Sequence, residues 1–154
     1  MPVALDSKVP DFTAAATGGD FTLSAQRGKT VVLYFYPKDH TPGCTTEGTD
    51  FGNAITKFTK ANAVVAGVSR DSLKLHEGFK AKMKYPFELI SDPDEQLCEL
   101  FGVMKMKNMY GRQVRGVERS TFVIDGSGKL RRQWRGVKVP NHVDQVLAFV
   151  QSLT

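Results

Sequence analysis

The stretch Val31-Val32-Leu33-Tyr34-Phe35-Tyr36-Pro37-Lys38-Asp39-His40-Thr41-Pro42-Gly43-Cys44-Thr45-Thr46-Glu47 carries the chain out of a strand and into a helix. Its first six residues are an uninterrupted β-branched and aromatic run, the pattern of a central strand covered on both faces, and Pro37 ends it. Beyond the prolines, Phe51, Ile55 and Phe58 recur at helical spacing. Counting back by seven from Phe51 and Ile55 puts Cys44 and Gly48 on the same stripe. The spacing predicts a helix from about Pro42 to Lys60, with Cys44 in its first turn and facing inward.

A thiol in that position meets unpaired backbone N–H groups and the positive end of the helix dipole, both of which favour its anion. A lone cysteine on an apolar stripe also describes a small buried core residue. The neighbours favour an anion pocket. Thr41 offers a hydroxyl to the sulfur or to a substrate oxygen, Pro37 and Pro42 stiffen the approach, and Gly43 lets a ligand come close to its N–H.

Working outward, the 154 residues are 41% hydrophobic and 24% charged, as expected of a single soluble domain spanning 1–154 that folds without metals or disulfides. No basic segment followed by a long apolar run opens the sequence, so a cytoplasmic, non-membrane protein is expected. Its two cysteines form no CxxC or zinc-like cluster, which fits a reducing compartment and argues against bound metal or haem. The net charge of +5 is concentrated between Lys105 and Lys138, where Glu118 and Asp125 are the only acids. A solvated basic face explains this more simply than a nucleic-acid footprint.

Upstream of the central strand, Thr17-Gly18-Gly19-Asp20 lies between Phe12 and Phe21-Thr22-Leu23, the signature of a small hairpin covering a sheet edge. Gly28-Lys29-Thr30 imitates the end of a phosphate loop, but position 23, where the first glycine belongs, is Leu23. Downstream, Ala63 to Ser69 reads as a second strand parallel to the first. Asp71 or Ser72 caps a helix with the apolar stripe Leu75, Phe79, Met83, and His76 on its flank reads as structural or solvent-facing. Phe87 to Ile90 is a short extended piece. Asp92 as cap, Pro93 at the first helical position and Gly102 past the end bracket a brief helix holding Cys98. Leu97 and Phe101 beside it favour a buried structural thiol over a redox role. Residues 103–118 show no clear period and read as a loop, a candidate lip over the active site. Arg119 to Asp125 and Lys129 to Arg135 form an antiparallel pair, and Asn141 caps a last helix with the stripe Val143, Val146, Leu147, Val150, Leu153. The sum is an α/β fold with a mixed central sheet, helices on both faces and an N-terminal β-hairpin. Cys44 sits at a strand-to-helix turn, where such folds bind ligands.

Pro37-x-x-x-Thr41-x-x-Cys44, followed far downstream by Arg119 at a strand start, resembles the active-site signature of peroxiredoxins, the cysteine peroxidases on a thioredoxin-like fold. The string Tyr34 to Thr45 is similar to the Q-type subfamily, also called bacterioferritin comigratory protein. Val9-Pro10-Asp11-Phe12, Val68-Ser69-Arg70-Asp71-Ser72, Ser91-Asp92 and Phe122-Val123-Ile124-Asp125 fall in that family's order, so the resemblance covers nearly the whole chain. It implies Cys44 as peroxidatic cysteine, Thr41 as hydrogen-bonding partner, Arg119 as the cation beside the thiolate, and Pro37 as the shield of a pocket that Gly43 helps to line. It further implies reduction of hydrogen peroxide and organic hydroperoxides without a cofactor, recycling by thioredoxin, glutaredoxin or a small thiol, and a monomer.

Many Q-type members carry a resolving cysteine five residues after the peroxidatic one, and that position here is Thr49. Recycling therefore falls to an external thiol or to Cys98. Two rivals remain on sequence grounds. A thiol-disulfide oxidoreductase would need a first cysteine where Thr41 stands, and a basic nucleic-acid-binding or holdase module would use Arg131-Arg132-Gln133-Trp134-Arg135 without any recognised nucleic-acid motif.

Overall fold

The computed structural model describes residues 2–153. A short hairpin, β1 (Thr13–Ala14) and β2 (Phe21–Thr22), precedes β3 (Thr30–Phe35), which runs into α1 (Pro42–Asn53) and α2 (Ile55–Lys60). Next come β4 (Ala63–Ser69), α3 (Leu73–Met83), β5 (Glu88–Ser91) and α4 (Gln96–Leu100). A second hairpin, β6 (Met104–Met109) with β7 (Arg112–Val117), leads to β8 (Ser120–Ile124), β9 (Leu130–Arg135) and α5 (His142–Ser152).

The main sheet has five strands in the order β5-β4-β3-β8-β9. β3, β4 and β5 run parallel to their neighbours in that set, whereas β8 pairs antiparallel with both β3 and β9. Every residue of β3 is buried, because alternate side chains enter two different cores. Leu33 and Phe35 pack with Ile90, Cys98, Phe101 and Phe122 on one face. Val32, Tyr34 and Tyr36 pack with Cys44, Phe51, Phe58, Phe79 and Val146 on the other. The apolar run of β3 is thus the sequence trace of a strand that no face leaves to water.

Register positions the site. Phe35, the last residue of β3, is the partner of Ser120, the first of β8. The chain entering β8 therefore meets the chain leaving β3, so Arg119 arrives beside the turn that leads to α1. The N-terminal hairpin closes the sheet's β5 edge: Thr17 N–H donates to the Leu89 carbonyl at 3.0 Å and Ser91 N–H to the Ala15 carbonyl at 2.8 Å, which satisfies an otherwise open strand.

Five expectations need correction. The helix expected over Pro42 to Lys60 is broken at Ala54, whose φ of −96° and ψ of 0° separate α1 from α2. The expected loop at 103–118 contains the β6–β7 hairpin, turned by Tyr110 and Gly111, both with positive φ. Its alternation went unread because nearly all its side chains are exposed or half-exposed, leaving no apolar face to mark the period. The helix expected from Pro93 begins at Gln96, and Asp92 caps it from four residues upstream by accepting from Leu97 and Cys98 N–H at 3.1 and 2.8 Å. Leu75 is exposed and His76 takes the inward position on α3. Asn141 stands at the N-cap of α5 but in a left-handed conformation without a capping bond.

Phe51 stacks on Tyr34 at 4.5 Å and is fully buried, tying α1 to the central strand. Phe51→Ala is expected to cost about 3–5 kcal/mol, read as a drop in the urea midpoint at constant slope. An unchanged midpoint would mean that α1 is not anchored there.

Candidate active site

The site begins where β3 ends. Tyr36 Oη donates to Asp39 Oδ1 at 2.7 Å, and Asp39 N–H donates to Asp71 Oδ2 at 2.8 Å. These bonds pin a turn in which His40 adopts a left-handed φ of 64°. Thr41 follows in extended conformation as the N-cap of α1, with Pro42 in the first turn, where a missing N–H costs nothing. The first helical bond runs from Thr45 N–H to the Thr41 carbonyl at 2.9 Å. Gly43 and Cys44 therefore present N–H groups that the helix itself cannot satisfy.

The Cys44 sulfur lies within this helix start and only 2% of the residue is exposed. Arg119 reaches it from the entry to β8, with Nη2 at 3.4 Å from Sγ. The same guanidinium donates from Nη1 to Glu47 Oε1 at 2.6 Å. A Cβ on Gly43 would stand 3.2 Å from Arg119 Nη2, so the missing side chain lets the cation lie over the helix start. Arg119 is held from behind, since its carbonyl accepts from Val137 N–H at 2.9 Å. The Thr41 hydroxyl donates to the Lys38 carbonyl at 2.8 Å; its proton points into the turn and not at the sulfur, which leaves the oxygen's lone pairs to accept.

Glu47 is a member of the site that the sequence does not announce. It lies one turn after Cys44, is fully buried, and its Oε2 has no hydrogen-bond partner among the described residues. Burial pushes its carboxyl up to about 7, against the pull of the Arg119 guanidinium. The available signal was a carboxylate at i+3 from a cysteine on an inward stripe, which has to find a cation or lose its charge. Tyr85 closes the same turn, its Oη donating to the Thr45 carbonyl at 3.0 Å. Its hydroxyl fills the space a Cβ on Gly48 would need.

A thiol at a helix start, within reach of an arginine that shares a buried carboxylate, can be compared with known proteins. The model of the AhpC/TSA family matches residues 5–133. Peroxiredoxin Bcp of Xanthomonas campestris is 52% identical over 92% of this chain and 89% of its own length. A structure of Xylella fastidiosa PrxQ, in a cysteine-to-serine mutant, superposes with a TM-score of 0.93 at 40% identity, covering 99% of this chain and 98% of that one. The bacterioferritin comigratory protein of Xanthomonas campestris, trapped in intermediate and ligand complexes and described for its alkyl peroxide reduction activity, has a TM-score of 0.88 at 50% identity over 92% and 91% of the two chains. This chain belongs to the AhpC/TSA family of peroxiredoxins. As a peroxiredoxin it is a thiol-dependent peroxidase on a thioredoxin-like fold.

The peroxiredoxin's second cysteine lies elsewhere. Cys44 packs on the α1 face of the sheet and Cys98 on the opposite face. Cys98 is completely buried, and burial together with the Asp92 carboxylate raises its thiol well above the ordinary value. Pro37 is half-buried at the start of the turn. His76, read as structural or solvent-facing, is fully buried behind that turn. No helix among the described residues is long and apolar enough to cross a membrane.

The Glu47 carboxyl holds its proton more tightly in the folded chain than in the unfolded one. Its contribution to stability is therefore full below its ordinary value of 4.5 and is lost as pH rises through about 7. Urea midpoints of the native chain and Glu47→Gln, measured from about pH 5 to about pH 8, are expected to diverge, the native chain weakening relative to the variant. Parallel curves would contradict the raised carboxyl.

Proposed function

We propose that Cys44 is the peroxidatic nucleophile of this peroxiredoxin, that Arg119 and Thr41 orient the peroxide, and that the cycle uses one cysteine with an external thiol. The observation that carries this reading is the Arg119 fork, 3.4 Å from the sulfur on one prong and 2.6 Å from buried Glu47 on the other. Glu47 fixes the guanidinium, and the guanidinium faces the place where charge develops.

The thiolate attacks the nearer oxygen of ROOH. An S–O bond forms, the O–O bond breaks, sulfur loses two electrons and the peroxide gains them. The leaving RO⁻ takes a proton to become ROH. Arg119 and the Gly43 and Cys44 N–H groups donate to the oxygens while the Thr41 oxygen accepts from the peroxide O–H, a division of labour suited to its bond with Lys38. These fixed donors, beside a nearly buried sulfur, stabilise the leaving oxyanion most at the transition state. Pro37 shields the pocket's mouth.

The resulting Cys44 sulfenic acid condenses with an external thiol, releasing water and leaving a mixed disulfide, and a second thiol frees the enzyme. Position 49 offers no cysteine, and Cys98 is separated from Cys44 by the sheet. The reductant is thioredoxin, glutaredoxin or a small thiol, the substrates hydrogen peroxide and organic hydroperoxides, and the working form a cytoplasmic monomer. The alkyl peroxide reduction described for the Xanthomonas campestris relative supports the organic substrates.

Cys44→Ser is expected to abolish thiol-driven peroxide consumption while leaving the circular dichroism spectrum unchanged; substantial retained turnover would remove the assignment. Arg119→Met, which keeps the apolar stem, is expected to lower the rate with peroxide about 100-fold and move the pH profile of Cys44 alkylation upward. An unmoved profile would make Arg119 a bystander. After one equivalent of peroxide without reductant, mass spectrometry should find one added oxygen on Cys44 and a free Cys98, and Cys98→Ser should turn over normally. A quantitative Cys44–Cys98 disulfide within one chain would make Cys98 the resolver.

A further inference from the structure

Behind the turn that delivers Cys44 lies a polar network in which no group touches the sulfur. His76 of α3 is fully buried, with Nδ1 at 2.6 Å from Asp39 Oδ2 and Nε2 at 2.9 Å from the Ile90 carbonyl of β5. The other oxygen of Asp39 accepts from Tyr36 Oη at 2.7 Å. Ser69 Oγ lies 3.4 Å from His76 Nε2 and donates to Asp71 Oδ2 at 2.7 Å, the oxygen that also accepts from Asp39 N–H. Ser91 Oγ donates to the Asp71 carbonyl at 2.6 Å.

The acceptors determine the proton count. A carbonyl only accepts, so Nε2 carries a proton. The 2.6 Å contact between Nδ1 and Asp39 Oδ2 needs a second proton between them. The network is therefore a buried His–Asp pair with every strong acceptor served, the condition under which such polar groups are tolerated in a core. It joins α3, β4 and β5 to a backbone segment of few residues: Asp39 lies one residue before left-handed His40, two before Thr41 and five before Cys44. A conformation of this kind persists only where its surroundings hold it.

We propose that the His76–Asp39 pair is a positioning device for Cys44: it fixes the turn that sets Thr41 and the first N–H groups of α1 against the Arg119 fork. The proposal rests on the peroxidatic assignment of Cys44, and the test separates the two, because Cys44→Ser probes the assignment whereas the variants below are read against an active native enzyme. His76 and Asp39 act on the reacting atoms only through the turn.

Positioning predicts a split between two reactions of the same sulfur. Attack on peroxide needs several aligned donors; alkylation by iodoacetamide needs only an accessible thiolate. Asp39→Ala is expected to lower the second-order rate constant with peroxide about 100-fold, as a misplacement of about an ångström does, while the iodoacetamide rate stays the same or rises. Asp39→Asn can keep both side-chain bonds, its amide N–H donating to a His76 ring protonated only at Nε2, and is expected to restore most of the peroxide rate. Should Asp39→Ala not fold, Tyr36→Phe removes one bond to the same carboxylate and is expected to lower the peroxide rate about tenfold, with alkylation again spared. An unchanged peroxide rate in the folded variants, or peroxide and alkylation rates falling in parallel, would overturn the proposal. Failure of Asp39→Asn to outperform Asp39→Ala would do the same.

Discussion

The guanidinium of Arg119 is the interaction on which the site depends, because each of its terminal nitrogens answers a different problem. Glu47 is a carboxyl with no access to water, which alone would be costly to ionise. Cys44 is a nearly buried sulfur whose proposed role as nucleophile requires negative charge. One planar cation, 16% exposed at its side chain, serves both with a fixed fork that a flexible ammonium could not reproduce. The carboxylate keeps the cation from turning outward, and the cation keeps the carboxylate from being a pure liability. The elevated Glu47 carboxyl records how nearly balanced that exchange is.

The backbone makes this fork possible at long range. Arg119 is 75 residues from Cys44, and no local preference could join them. The antiparallel register of β3 and β8 does so, since it ends one strand where the other begins. A one-residue slip would turn the buried side chains of β8 to the wrong face, and the apolar cores on both sides of the sheet forbid that slip. Packing thus enforces the geometry of the fork.

Much of this was legible in the sequence, and the gaps have physical causes. The central strand, the helix start at Cys44, the parallel β3–β4 unit and the closing β8–β9–α5 segment follow from uninterrupted or clearly periodic apolar runs. The inner face of α3 was misjudged because two stripes share Phe79 and Met83: Leu75 completes the apolar one, His76 the real one. Hydropathy favours leucine, whereas the structure favours the residue whose ring nitrogens find Asp39 and the Ile90 carbonyl. Those acceptors come from other elements, so nothing within α3 announces them. Glu47 was passed over for the same reason, its partner being supplied from across the fold. Polar residues on inward faces are where periodicity is least informative, and here they hold the site together.

The two cysteines show what the sheet imposes on the chemistry. Cys98 is confined to the far core, with its backbone N–H bound to Asp92 and its thiol held protonated by burial. Freeing it means dismantling α4 and the packing of Leu97 and Phe101 along with it. Cys44 is confined differently. It sits in a turn of helix containing Gly48 and β-branched Thr45, Thr46 and Thr49, residues of modest helix preference, held shut by the Tyr85 bond to Thr45, the Arg119 fork and the Asp39 anchor. Loosening that single turn breaks a few side-chain bonds and leaves the sheet untouched, whereas exposing Cys98 also unseats α4 from its core. In the proposed cycle, a thiol arriving from solvent has the shorter path to an oxidised Cys44, and the chain's own second cysteine the longer one.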